Sequence, residues 1–383
     1  MDEELANYES SYFIMSVPTE SDLEIRNMNE KDFAVFFHEY IHFIQDITSF
    51  YGYSGIYYHG EYIRRVINDI YMTDNPVQMP IHLEDKRDIV LLNKKIAKLS
   101  LGDKETINNI FLIRDVFIDT FPLSDAFNLP ELHVIAIAEG KEEEIIVGAY
   151  AIRENMAYLL EKKCTTKYRS SAEFPYQIVE LLANQICPNM LSDLDLIALC
   201  DISLQSSIPG PSLYIILDAV SKGNITINKP EDIYNFFKDV NFLNQDMKIT
   251  DALRVSANLA IKQLSSYLKI DTLSNEYQDW VIFTITAGVE MRIQHPYFFL
   301  DMTKCKRDKE NAILQYLAKN IGSPQMINAK GKRFQLVTDR PICRFEYFEV
   351  VRQIENLFEY GTTKCNLKSW CKIRPDGAPV DER

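Results

Sequence analysis

The stretch NEKDFAVFFHEYIHFIQDITSFYG, residues 29–52, decides how the chain is read. Asn29 offers an N-cap, and Glu30 and Asp32 place acid at the positive end of whatever helix follows. Phe33, Phe36, Phe37, Tyr40, Phe43, Ile44, Ile47 and Phe50 then recur at helical spacing and form one broad apolar stripe. His38, His42, Gln45, Asp46 and Ser49 fall on the other side, and Gly52 is placed to close the helix as its C′ residue.

Outward from this helix, Tyr12 to Val17 and Leu23 to Arg26 alternate as two short strands do, joined through Pro18-Thr19-Glu20-Ser21. A second helix is predicted from Ser54 to Tyr71, ended by Asp74-Asn75-Pro76. Leu83–Leu101 and Thr106–Asp119 read as two charged surface helices. His133–Ala138 and Glu144–Val147 predict a hairpin turning at Glu139-Gly140-Lys141. Gly148–Lys163 reads as a helix with Ile152, Met156, Leu159 and Leu160 inward. Beyond Pro175 the pattern is a succession of helices, at 175–187, 191–205, 211–222, 230–240, 250–268, 275–294, 308–320 and 345–359, with no repeat period. The tail after Trp370 is turn-rich and charged. The expected fold class is therefore mainly α with a small β component (α+β), organised as a first region at 1–170 and a helical region at 171–383 packed against it as one unit.

Composition narrows the function classes. A net charge of −14 on 383 residues argues against general nucleic-acid binding, which needs a basic face. No apolar run is long enough to span a bilayer, and the acidic start MDEELANYES lacks the order of a secretory signal, so a cytoplasmic protein is expected. The seven cysteines, Cys365 and Cys371 among them, contain no C-x-x-C pair, so a cysteine-based metal or redox site is not expected.

Chemistry enters at His38-Glu39-Tyr40-Ile41-His42. Two imidazoles four residues apart project from one side of a helix, one turn apart, and can share a metal ion. Glu39 lies about 100° around the helix from His38, so it can serve as general base toward a water beside that metal. The run reads H-E-x-x-H and resembles the zinc helix of the zincin metallopeptidases. The metzincin continuation is missing, because Gln45 stands where that pattern has glycine and Thr48 where it has the third histidine. The stretch is thus similar to the gluzincin side of the superfamily, and also to zincin-like bacterial proteins of unassigned activity. That resemblance implies a zinc-dependent peptidase acting on a protein or peptide substrate, with a downstream glutamate as third ligand. It covers about the first 165 residues; the helical half resembles no family.

Two glutamates compete for the third ligand. Glu61 has the eighteen-residue spacing from His42 seen in aminopeptidase-type gluzincins, but it shares its face with Arg64, Arg65, Asn68 and Asp69, as a solvated residue would. Glu154 sits among Val147, Tyr150, Ala157 and Tyr158, where a carboxylate needs a partner. Its E-x-x-A-x-x-x-E stretch, ending at Glu161, looks like the third-ligand helix of several gluzincin-like families. Burial favours Glu154. Asp46 and Glu161 are positioned to hold the histidines from behind, and Tyr150, Tyr158, Arg153, His133 and His295 are oxyanion-donor candidates by chemistry. Two other classes fit the same residues: a helical interaction protein whose metal is structural, closed by a fourth ligand such as His59, or absent; and a zinc hydrolase of a non-peptide bond.

Overall fold

The computed structural model describes residues 6–20, 28–71, 88–124, 127–166, 171–238, 248–266, 273–304, 312–336 and 346–361. In chain order the elements are β1 (Asn7–Glu9), β2 (Ile14–Val17), α1 (Glu30–Thr48), α2 (Phe50–Tyr71), α3 (Ile89–Ser100), β3 (Ile110–Ser124), β4 (Phe127–Ala138), β5 (Lys141–Val147) and α4 (Ala149–Cys164). The second half contributes α5 (Glu173–Tyr176), α6 (Ile178–Ile186), α7 (Asp193–Ser203), α8 (Pro209–Ser221), α9 (Glu231–Lys238), α10 (Ile249–Ser266), α11 (Leu273–Gln294), α12 (Phe298–Met302), α13 (Ala312–Ile321), β6 (Gln325–Asn328), β7 (Arg333–Phe334) and α14 (Glu346–Tyr360). The fold is mainly α with a small β component. No helix among the described residues is long and apolar enough to cross a membrane.

Helix α1 lies at the centre. Asn29 caps it, its side chain accepting from the Asp32 N–H at 2.9 Å. The apolar stripe is buried against α2, α11, β1 and β2, while the polar side is buried against α4. A helix covered on both sides must satisfy its terminal carbonyls from within the protein. Tyr53 Oη donates to Ile47 O at 2.6 Å and Arg292 Nε to Thr48 O at 3.0 Å. Arg292, on α11, is held by a two-pronged pair with Asp201 of α7, both contacts 2.7 Å, and Tyr234 Oη donates to the same carboxylate at 2.8 Å. A cation at a helix C-terminus is favourable, so the helical half supplies the cap of α1.

The chain reverses sooner than expected. Helix α1 stops at Thr48, Ser49 is extended, and Gly52 lies in the first turn of α2 instead of following α1 as C′ residue. Close approach dictates the glycine, because a Cβ there would sit 2.1 Å from Asp46 O.

The two sheets are small. In the first, the order is β1-β2-β6-β7, and β2 pairs in parallel with β6, so residues 14–17 lie beside residues 325–328. Leu23–Arg26, Asp74-Asn75-Pro76, residues 83–87 and the tail after Trp370 fall outside the described residues, as do Cys365 and Cys371. The second sheet is an antiparallel β3-β4-β5 meander. Its β4–β5 turn is the expected one, with Glu139 at φ 51° and Gly140 at φ 79°. Strand β3, however, occupies most of the segment read as the helix Thr106–Asp119. Its Ile110, Phe111, Ile113, Val116, Phe117 and Ile118 are β-favouring residues, and Ile110 and Ile113 among them are buried. One continuous apolar core includes Ile44 and Leu159 from the first half and Leu199, Ile285 and Phe348 from the second.

Candidate metal centre

Helix α4 begins just after its N-cap Gly148 and lays one face along the polar side of α1. Glu154 and Glu161 are seven residues apart, two turns, and so look the same way. His38 Nε2 is 3.0 Å from Glu154 Oε2, and His42 Nε2 is 3.4 Å from Glu154 Oε1. Ligand atoms of His38, His42 and Glu154 all lie within 4.8 Å of one another, the one such group of histidine, cysteine or acidic side chains among the described residues. Behind them, His38 Nδ1 donates to Glu161 Oε2 at 3.1 Å, and His42 Nδ1 to Gln45 Oε1 at 2.9 Å.

Electrostatics bind the group together. Burial pulls the His38 pKa down, but hydrogen bonds to Glu154 and Glu161, with the charges of Glu154 and Glu39, outweigh it and push the value up to about 10. Burial would raise the Glu154 carboxyl, yet the nearby His42 and His38 overcome it and hold the group well below the usual carboxylate range. His42 Nε2 is buried, and its one near acceptor, Glu154 Oε1 at 3.4 Å, does not meet it in hydrogen-bond alignment. A buried ring nitrogen so poorly partnered is costly unless something else takes its lone pair. Two imidazoles and one carboxylate are the donor set of a three-ligand catalytic zinc site, and the residues present fit such an ion.

A cavity of about 580 Å³ opens on this group. Its walls include His38, Glu39, His42 and Glu154, with Tyr150 and Arg153 from α4, Tyr51, Gly52, Gly55 and Ile56 from α2, and Tyr176 from α5. Residues 6–11 form the facing wall. That size lies within the range of small-ligand sites. Tyr150 is kept protonated by burial and by the charges of Glu154, Tyr176 and Glu39, so its hydroxyl remains a donor.

Glu61 is elsewhere. It accepts from Tyr57 Oη at 2.6 Å and Asn93 Nδ2 at 3.1 Å between α2 and α3. His59 is also apart, its Nδ1 3.6 Å from Glu355. Of the two carboxylates named as supports, Glu161 serves His38, whereas Asp46 pairs with Arg153 Nη2 at 3.1 Å. Tyr150 and Arg153 line the cavity; Tyr158, His133 and His295 do not, and His133 is held on the sheet by Glu144 at 2.8 Å. Sequence reasoning missed Gln45 as the acceptor for His42, though its three-residue spacing places both on one helix face. It also missed Tyr8, Tyr51, Tyr176 and the 6–11 wall, for which no local signal exists. No protein-family model matches the chain, and no curated protein or solved structure matches it at a significant level.

Proposed function

We propose that the protein is a zinc-dependent hydrolase of gluzincin type that cleaves a peptide bond, with His38, His42 and Glu154 as metal ligands and Glu39 as general base. One observation carries the reading: the H-E-x-x-H imidazoles and a glutamate 112 residues beyond His42 converge on one cavity, with Glu39 on its wall. Zinc held there supplies Lewis acidity and lowers the pKa of a water to about 7. Glu39 is 5% exposed and faces the cavity, where its carboxylate takes a proton from the attacking water and returns it to the leaving amine. Tyr150 presents a hydroxyl to the developing oxyanion. Tyr8, Tyr51 and Tyr176, with Ile56 and Leu101, flank the substrate chain and limit the water around it.

Metal analysis of the purified protein tests the base of the reading, and peptide-library digestion tests its chemistry. Stoichiometric zinc and a cleavage activity lost in Glu39→Gln, which retains the metal, are expected. Absence of bound zinc at saturating supply overturns the metal site. Bound zinc with peptide cleavage undiminished in Glu39→Gln, or with no peptide cleaved at all, overturns the peptidase chemistry.

A further inference from the structure

His42 differs from His38 in what stands behind it. His38 Nδ1 donates to a carboxylate, Glu161, but His42 Nδ1 meets the neutral amide oxygen of Gln45 at 2.9 Å. An amide can face either way, and with its NH₂ toward the ring it would force the opposite tautomer. The surroundings forbid that turn. Gln45 Nε2 donates to Arg153 O at 3.2 Å, while Arg153 Nε donates to Gln45 Oε1 at 3.3 Å. Both ends of the amide are thereby assigned by one residue. Arg153 is itself fixed, with Nη2 3.1 Å from Asp46 Oδ1 and donating to His42 O at 3.3 Å, and with Nη1 donating to Ser10 Oγ at 3.1 Å. Gln45 is 1% exposed, so water cannot replace it.

We propose that Gln45 is a positioning residue that keeps the proton of His42 on Nδ1 and its Nε2 lone pair aimed at the metal, and that Arg153 acts through Gln45 by holding its amide in the one orientation that does so. The arrangement deepens the metal-site reading above and rests on it. The polar partner behind a metal-bound imidazole is worth roughly 10–100-fold in metal affinity. Unlike a carboxylate, the amide orients the ring without adding a charge to those of Glu154, Glu161 and Glu39.

Nitrogen-15 NMR of histidine-labelled protein, metal-free and loaded with zinc, reads the tautomer directly. Wild type is expected to show a slowly exchanging, hydrogen-bonded Nδ1 proton on His42 in both states. A wild-type His42 protonated on Nε2 alone overturns the proposal, whether or not zinc binds. Gln45→Met, close in volume but without an acceptor, is expected to lose that proton signal and about 10–100-fold in zinc affinity. Gln45→Glu, which keeps an acceptor, should recover most of both. Arg153→Lys lacks the Nε–H donor and should fall between them, with a His42 signal split or broadened by amide reorientation. Gln45→Met binding zinc as tightly as wild type would refute the role, and should that variant fail to fold, the wild-type spectrum and Gln45→Glu still decide. A wild type that shows the Nδ1 proton but binds no zinc instead refutes the metal reading alone.

Discussion

Metal binding at this site should expel a proton, and the amount is calculable. His38 titrates near 10 in the metal-free protein, because Glu154 and Glu161 flank its two ring nitrogens. That midpoint lies about three pH units above neutrality, so displacing the proton at pH 7 costs about 4 kcal/mol, or ~10³ in apparent affinity. Zinc affinity is therefore expected to rise about tenfold per pH unit between pH 6 and 8, with close to one proton released from His38 per ion. The same shift has a signed effect on the metal-free fold. A histidine raised above its unfolded value of 6.5 contributes stability that is complete below about pH 6.5 and lost as pH rises through about 10. Glu161→Gln removes one charged acceptor, worth about 1.5–3 kcal/mol. The His38 midpoint should then fall. Affinity at a single pH is a poor readout for this variant, since weaker proton competition and a lost support act in opposite directions. Calorimetry in two buffers of different ionisation enthalpy counts the proton, and NMR follows the midpoint. A wild-type affinity flat between pH 6 and 8, with no proton released, refutes the reasoning.

Other perturbations separate the remaining contacts. Glu154→Ala should abolish stoichiometric zinc binding while Glu61→Ala leaves it unchanged, as metal analysis after gel filtration will show; the reverse result assigns the ligand to Glu61. Gly52→Ala forces a Cβ against Asp46 O and should cost about 1–3 kcal/mol by overpacking, read as a lower midpoint in urea; an unchanged midpoint contradicts the close approach. Asp201→Asn leaves Arg292 as an unpaired buried cation and should destabilise by about 3–5 kcal/mol. A loss under about 1 kcal/mol in the same denaturation assay means that the pair is not what holds the end of α1.

What the sequence disclosed followed from how local each signal was. Helix α1 was legible because its cap, its acidic first turn and its apolar spacing all lie within twenty residues. Glu154 was legible as a carboxylate in need of a partner because its helix neighbours are small or aromatic, and the structure leaves it only partly buried. Strand β3 was misread for a physical reason: register shifts at Ile110/Leu112 and Ile113/Asp115 break the two-residue alternation that marks a strand. Exposed Arg114, Asp115 and Asp119 among apolar residues then imitate a helix surface. The end of α1 was placed late because Gly52 suits two roles, terminating one helix or admitting the close approach of the next. Strand β6 and the short helix α12 escaped notice because they are too brief to show a period, and α5 and α6 were read as the single helix 175–187. Asp201 and Arg292 could not be joined from sequence at all, since ninety-one positions separate them.

The parallel pairing of β2 with β6 also sets the order in which the molecule can be finished. Residues 6–11 wall the cavity, and the strand that anchors them takes its own partner from residues 325–328. At roughly 5–20 residues per second, a ribosome that has made α1 and α4 needs further seconds to tens of seconds before it reaches β6. During that interval the nascent chain carries the histidines and the glutamate without the completed sheet beside them. The completed cavity, on this architecture, is acquired late in synthesis, and a chain cut short before β6 would carry His38, His42 and Glu154 but lack the finished wall beside them.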